Sequence, residues 1–168
     1  MRLVITQNVT ADGAVEMLTD WFDPSDQDQE LAAELRRQDE SCDAVLMGRQ
    51  TFEDFRGYWP EQTDDTTGVS DQLNRVTKYV VSATITDPQW RNSVVLAVVP
   101  TGSITLAHLL IAEGLADEFR MFCCPAVQGT GRRFFPEGYA ARLARVDART
   151  FGNGVTYVAC RPTGSHDA

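Results

Sequence analysis

Apolar residues come in short β-branched runs, separated by stretches in which they recur every three or four positions. The first run, "RLVITQNV" (residues 2–9), predicts a strand. "TADGAV" after it predicts a turn, with Asp12-Gly13 suited to a positive φ. "DQELAAELRRQDESC" carries Leu31, Leu35, Gln38 and Cys42 on one face at near-helical spacing, which predicts an amphipathic helix. "DAVLMG" is a continuous apolar run of the kind buried on both faces of a parallel sheet. A short helix is expected from Thr51 onward.

Further along, "RGYWPEQTDDTTG" lacks periodicity and is expected as loop. "VSDQLNRV" predicts a short helix, "KYVVSAT" a strand, "DPQWRNS" a turn and "VVLAVV" another buried strand. "SITLAHLLIAEG" predicts a helix with Ser103 as N-cap and Gly114 as its stop. "ADEFRMFCCPAV" is a strand ended by Pro125, and "QGTGRRFFPEG" a glycine-rich loop with a short extended piece. "RLARVDARTFGNGVTYVACRP" predicts a closing hairpin around Gly152-Asn153-Gly154. Strands alternating with helices, then two strands joined by a tight turn, give an α/β chain. Its sheet is expected to be mixed and mostly parallel, with an antiparallel edge. The 168 residues suggest one domain, 1–162, with 163–168 as a tail.

Charge changes this picture in one respect. The formal net charge is −9. That repels phosphates at long range and argues against general nucleic-acid or anionic-membrane binding. A local basic pocket for a small phosphorylated ligand stays open. No run approaches the ~18 apolar residues of a membrane span. The first residues turn polar at Thr6, too early for a signal peptide, so a cytoplasmic protein is expected. Cys42, Cys123, Cys124 and Cys160 contain no C-x-x-C pair, so reduced thiols are expected and no metal site.

Candidate chemistry gathers where "DAVLMG" meets the next helix. Ligands of open α/β sheets bind beyond the carboxyl ends of the strands. Gly48 stands at such an end and permits close approach. The following helix start offers free N–H groups. Arg49 adds a fork suited to phosphate and Thr51 a hydroxyl. A plain strand-to-helix turn capped by Thr51 is the alternative, since Walker or G-x-G-x-x-G spacing is absent. No G-x-S-x-G elbow or H-E-x-x-H is present, and the zinc-deaminase signature H-x-E…P-C-x-x-C is absent too.

"VLMGRQTFEDF" resembles the Met-Gly-Arg-x-Thr segment of dihydrofolate reductases. The wider pattern resembles the dihydrofolate-reductase-like proteins related to the C-terminal reductase domain of the bifunctional riboflavin-biosynthesis deaminase-reductase. "NVTADGAV", "KYVVSATIT", "TGSITLAHLLIAEGLADEFRMFCCPAVQGTGRRFF" and "RTFGNGVTYVACRP" carry that resemblance in order along nearly the whole chain. It implies a three-layer fold with helices on both faces of a central, mostly parallel mixed sheet and a C-terminal antiparallel hairpin. It implies NADPH as hydride donor, a pyrimidine- or pterin-like heterocyclic substrate such as 5-amino-6-(5-phosphoribosylamino)uracil, and a homodimer.

Carried over residue by residue, Gly48, Arg49 and Thr51 would hold the cofactor's phosphates. Ser82 and Thr84 would approach the 2′-phosphate, and Gly102, Ser103, Ile104 and Thr105 would present helix N-terminal amides to the pyrophosphate. Asp12 would be catalytic, with Asn8, Trp21 and Gly129 at the substrate. Asp28 is a second candidate proton donor. The bland readings are a turn-forming Asp12, a solvated Asp28 at a helix start, loop aromatics (Trp21, Phe22, Tyr58, Trp59) as peripheral core or dimer contact, and a satisfied or partly exposed His108.

Two departures from the family stand out. Ala83 takes the place of a basic residue after the serine of Val-Ser-x-Thr, which leaves Arg49 to recognise a 2′-phosphate. Between "SVVL" and "TGSIT" the family has a helix and a further strand, but only Ala97, Val98, Val99 and Pro100 intervene here. A parallel crossover needs about a dozen residues or more. If the helix is lost, a non-catalytic nucleotide- or flavin-binding homodimer becomes the alternative to a reductase.

Overall fold

A computed structural model describes residues 2–23, 28–65, 68–96 and 103–163. In chain order they form β1 (Val4–Thr10), α1 (Gln29–Glu40), β2 (Ala44–Gly48), α2 (Arg49–Arg56), a 3-10 turn (Trp59–Glu61), α3 (Val69–Arg75), β3 (Thr77–Val81), β4 (Ser93–Leu96), α4 (Ser103–Ala112), β5 (Glu118–Cys124), β6 (Leu143–Thr150) and β7 (Thr156–Pro162). The ladders fall into two sheets, β1-β5-β7-β6 and β2-β3-β4. Among the described residues three ladders are parallel and two antiparallel, which makes the class mixed α/β with parallel pairing in the majority. No described helix is long and apolar enough to cross a membrane. The chain divides into two compact units, Leu31–Leu106 and Met1–Glu30 with Ala107–Ala168.

The first of these holds the parallel sheet. Gly48 pairs with Val81 and Val81 with Leu96, so the carboxyl ends of β2, β3 and β4 stand side by side. Met47, Phe52, Leu73, Val80 and Trp90 form its core, with Val45, Phe55, Trp59, Val69 and Ile85 packed around them. Trp59 is therefore peripheral core, as the plain reading of it had it. β3 also buries a charge. Lys78 is fully buried; its Nζ donates to Leu73 O at 2.6 Å and Val76 O at 3.2 Å and sits 4.6 Å from the Trp90 ring centre. Burial, and then Arg91, lowers its pKa. Two carbonyls and a π face substitute for the water the ammonium gives up.

In the second unit β1 runs parallel to β5, and β5, β7 and β6 are antiparallel, with a register shift between Arg145 and Asp147. Successive residues of a strand face opposite ways, so both faces of β5 carry aromatics. Phe119 meets Phe134, Phe135 and Tyr139, while Phe122 meets Phe151 and Tyr157. The closing hairpin forms where the turn residues put it, with Gly154 at φ +85°. None of the four cysteines forms a disulfide.

Three local expectations need correcting. On α1 the buried residues are Glu34 and Gln38, whereas Leu35 is 41% exposed. Glu34 is tolerated inside because Arg37 and Gln38, three and four residues on, bond its carboxylate at 2.5–3.0 Å. α2 starts at Arg49, so Thr51 lies inside the first turn and Gly48 is the N-cap. Thr163 is not tail: its N–H and hydroxyl both donate to Arg142 O, at 2.8 and 3.1 Å. The expected tail beyond it, and the segment 97–102, lie outside the described residues.

Candidate functional site

The carboxyl end of β2 runs directly into the start of α2. Gly48 caps α2 in extended backbone, φ −74° and ψ 162°, with no side-chain cap. Its glycine is thus not demanded by backbone conformation. The first N–H groups of a helix find no partner within it, and they carry partial positive charge. Neither α2 nor α4 has an acidic residue in its first turn. Arg49 then puts a cation at the helix end where the dipole disfavours one.

Thr51 Oγ1 and Ser103 Oγ hydrogen-bond to each other, although 52 positions separate them. The start of α2 and the start of α4 are held side by side by this contact. Arg49 Nη1 pairs with Glu53 Oε2 at 2.7 Å, one turn along α2. Ser82 is buried, and its Oγ accepts the N–H groups of Thr84 and Ile85 at 3.1 and 3.0 Å. Ser82 therefore shapes the turn after β3, leaving Thr84 as the exposed hydroxyl there. Ile104 is half-buried and Thr105 exposed on the first turn of α4; Gly102 lies outside the described residues.

A cleft of about 290 Å³ opens elsewhere in this unit, between Arg36, Asp39 and Glu40 of α1 and Asp71, Gln72 and Arg75 of α3. Both helices lead from there into the amino ends of β2 and β3, the end of a parallel sheet that ligands do not use. Its lining mixes both signs of charge. The strand ends are the better candidate despite the cleft's volume.

In the other unit, residues 10–18 and 126–134 are laced together. Val15 N donates to Arg132 O and Phe134 N to Gly13 O, and Ala14 bridges Arg133. Asp12 is the knot. Its Oδ1 accepts the Thr10 hydroxyl at 2.6 Å and Gln128 N at 3.2 Å. Its Oδ2 accepts Gly129 N at 2.9 Å and Arg133 Nη1 at 3.0 Å. The Thr10 hydroxyl, the amides of Gly129 and Gln128 and the Arg133 guanidinium hold its carboxyl far below the usual carboxylate range. The same contacts tie Asp12 to the Gly129 loop, which its carboxylate positions. Glu16, four residues on, accepts Arg132 N and Nε, each at 2.8 Å.

Gly129 and Gly131 both have positive φ, +76° and +91°. At Gly131 a Cβ would also fall 2.9 Å from Gln128 Nε2 and 3.2 Å from Glu16 Oε2. Trp21 Nε1 donates to Glu16 O at 3.2 Å and its ring meets Phe22 edge-on. Asn8 is half-buried on β1 opposite Phe122 of β5. Asp28 is not simply solvated: Oδ2 accepts Asn153 N at 3.2 Å. It also occupies the space where a Cβ of Gly152 would stand, 2.8 Å away. His108 Nε2 lies 2.8 Å from Arg133 O, a satisfied histidine.

No family model and no curated protein matches the chain. Solved structures do. A proposed riboflavin biosynthesis protein of Shewanella sp. PV-4 superposes with a TM-score of 0.69 over 98% of this chain and 100% of its own, at 17% identity. A pyrimidine reductase-like protein of Corynebacterium diphtheriae gives 0.65 over 98% and 92%, at 11% identity. RibD of Acinetobacter baumannii gives 0.63 at 13% identity, with 98% of this chain matching 59% of that one.

The chain has the dihydrofolate-reductase-like fold.

Within the dihydrofolate-reductase-like fold, the predicted residues divide in two. Gly48, Arg49, Thr51 and Ser103 come together at the paired helix starts. Asp12 and Gly129 meet in the other unit. Trp21 is tied to Glu16 rather than to either. Sequence reasoning missed Glu53, Glu16 and Arg133 as direct partners of Arg49, Trp21 and Asp12 respectively. Glu53 had a signal, its i,i+4 spacing from Arg49. Arg133 had none, since 121 positions separate it from Asp12.

Proposed function

We propose that the protein is an NADPH-dependent reductase of a pyrimidine- or pterin-like heterocycle. One observation carries the cofactor side of this reading: the Thr51–Ser103 contact, which sets two helix starts lacking acidic residues together at the carboxyl ends of a parallel sheet. A dinucleotide offers phosphates of the matching charge, and Arg49, Thr51 and Ser103 would hold them. Bound there, the nicotinamide would supply a hydride. What the protein adds is orientation and exclusion of water. The Asp12 carboxylate would fix the Gly129 loop near the substrate, and the proton that accompanies reduction would come from a carboxylic acid or a bound water. A homodimer in the cytoplasm is part of the same proposal.

Titrating NADPH against tryptophan emission tests it. The wild type is expected to bind, and Arg49→Ala to bind more weakly by about 1–3 kcal/mol, the value of a charge-assisted phosphate contact. Absence of binding at millimolar NADPH defeats the reading. A second reading, binding without turnover, is favoured by the commitment of both candidate carboxylates, Asp12 and Asp28, to backbone N–H groups. NADPH that binds but is not oxidised with any of a panel of heterocycles would select it.

A further inference from the structure

Arg49 is the sole cation among the residues proposed above to hold the cofactor, and it is already engaged. Glu53 lies one turn further along the same face of α2, with its Oε2 2.7 Å from Arg49 Nη1. The two side chains are 44% and 32% exposed, so neither is locked in a core. The other polar groups at the helix starts, Thr51 and Ser103, are uncharged, as are Ser82 and Thr84. Ala83 contributes no charge. Discrimination between a dinucleotide with a 2′-phosphate and one without it therefore falls on Arg49.

A carboxylate within hydrogen-bond distance of that guanidinium acts on discrimination in two ways. It occupies one of the donors with which the fork would grip a phosphate. It also stays close to any phosphate gripped by the rest, where like charges repel. Both effects weaken binding of the more highly charged dinucleotide selectively, because the one lacking the phosphate makes less use of Arg49.

Resting on the reductase reading above, we propose that Glu53 is a specificity-determining residue of the cofactor site. By holding Arg49 along the helix it narrows the preference for NADPH over NADH. A glutamine at this position keeps the shape and a hydrogen bond but removes the charge.

The test uses four proteins: wild type, Glu53→Gln, Arg49→Ala and the double variant. Dissociation constants for NADPH and for NADH are measured on each by tryptophan fluorescence at fixed ionic strength. In Glu53→Gln, NADPH binding should tighten by about two- to fivefold, the range of an exposed ion pair, with a smaller change for NADH. In the Arg49→Ala background the same substitution should leave the ratio of the two constants unchanged. The inference is overturned if Glu53→Gln shifts both dinucleotides equally, or if its effect on the ratio persists without Arg49; the reductase reading survives either result. A wild type that binds neither dinucleotide removes that reading and the inference with it.

Discussion

The Asp12 loops and the start of α2 differ in how fully their polar groups are satisfied. Around Asp12, carboxylates, arginines and backbone amides satisfy one another: Asp12 and Glu16 each receive several protein donors. At the carboxyl ends of β2–β4, two helix starts carry an arginine and two hydroxyls but no acidic residue in either first turn, and no side chain caps α2. A region that satisfies itself is framework. At the start of α2 the side chains pair among themselves, but no side chain caps the helix, so its first backbone N–H groups are the donors left over. The difference teaches where a substitution should be felt. In the first region it should reduce stability, and in the second it should reduce ligand affinity.

The largest effect should come from Glu118, whose side chain is only 3% exposed and which receives Arg120 Nε at 2.8 Å, Arg161 Nε at 3.0 Å and Arg2 at 3.4 Å. Burial alone would raise its pKa; the hydrogen bonds from Arg120 and Arg161 and the charges of Arg120 and Arg2 outweigh it, and the net direction is down. Glu118→Gln should lower unfolding free energy by about 1–3 kcal/mol in urea at neutral pH. A lowered folded pKa means the stabilisation is complete above the ordinary carboxylate pKa, about 4.3, and fades as pH falls through the folded value. Wild type and variant should therefore converge in acid. Divergence in acid would contradict the downward direction.

Gly131→Ala comes next. It combines a φ of +91° with a Cβ 2.9 Å from Gln128 Nε2, whereas Gly129→Ala meets nothing within 4 Å at φ +76°. Both carry the backbone strain of about 1 kcal/mol or more. Gly131→Ala should melt at the lower temperature of the two, and equal melting would show that the laced loops yield to the extra methyl.

The smallest effect on stability should be that of Thr51→Val, about 1 kcal/mol or less for a single part-buried hydroxyl contact. NADPH affinity should nevertheless fall. A Thr51→Val protein that loses as much stability as Glu118→Gln, with unchanged affinity, would place the helix starts in the same class as the Asp12 loops.

Much of the fold was readable because it is written in local patterns. The β-branched runs became β1 and β3, Gly114 stopped α4 with φ +66°, and the Gly152-Asn153-Gly154 turn joined β6 to β7. Burial of charge was not readable. Lys78 interrupts an apolar strand, and only the carbonyls of Leu73 and Val76 and the ring of Trp90 make its burial tolerable. Leu35 and Glu34 exchange the places that hydropathy assigns them, since tertiary packing overrides a helical stripe. At the candidate site, Gly48, Arg49 and Ser103 could each be picked out by residue type, but the pairing of Thr51 with Ser103 is a property of two distant segments. Asp12 could be picked out as well, but most of its partners could not, because Gln128, Gly129 and Arg133 arrive from far along the chain.

The parallel ladder between β1 and β5 pairs Val4 with Glu118 and Thr10 with Cys124. As the polypeptide leaves the ribosome, β1 comes first and its neighbour more than a hundred residues later. Every partner of the β2-β3-β4 ladders has been synthesised by then. One half of the molecule can thus assemble in order of appearance, while the opening strand stays without its native neighbour until late in translation.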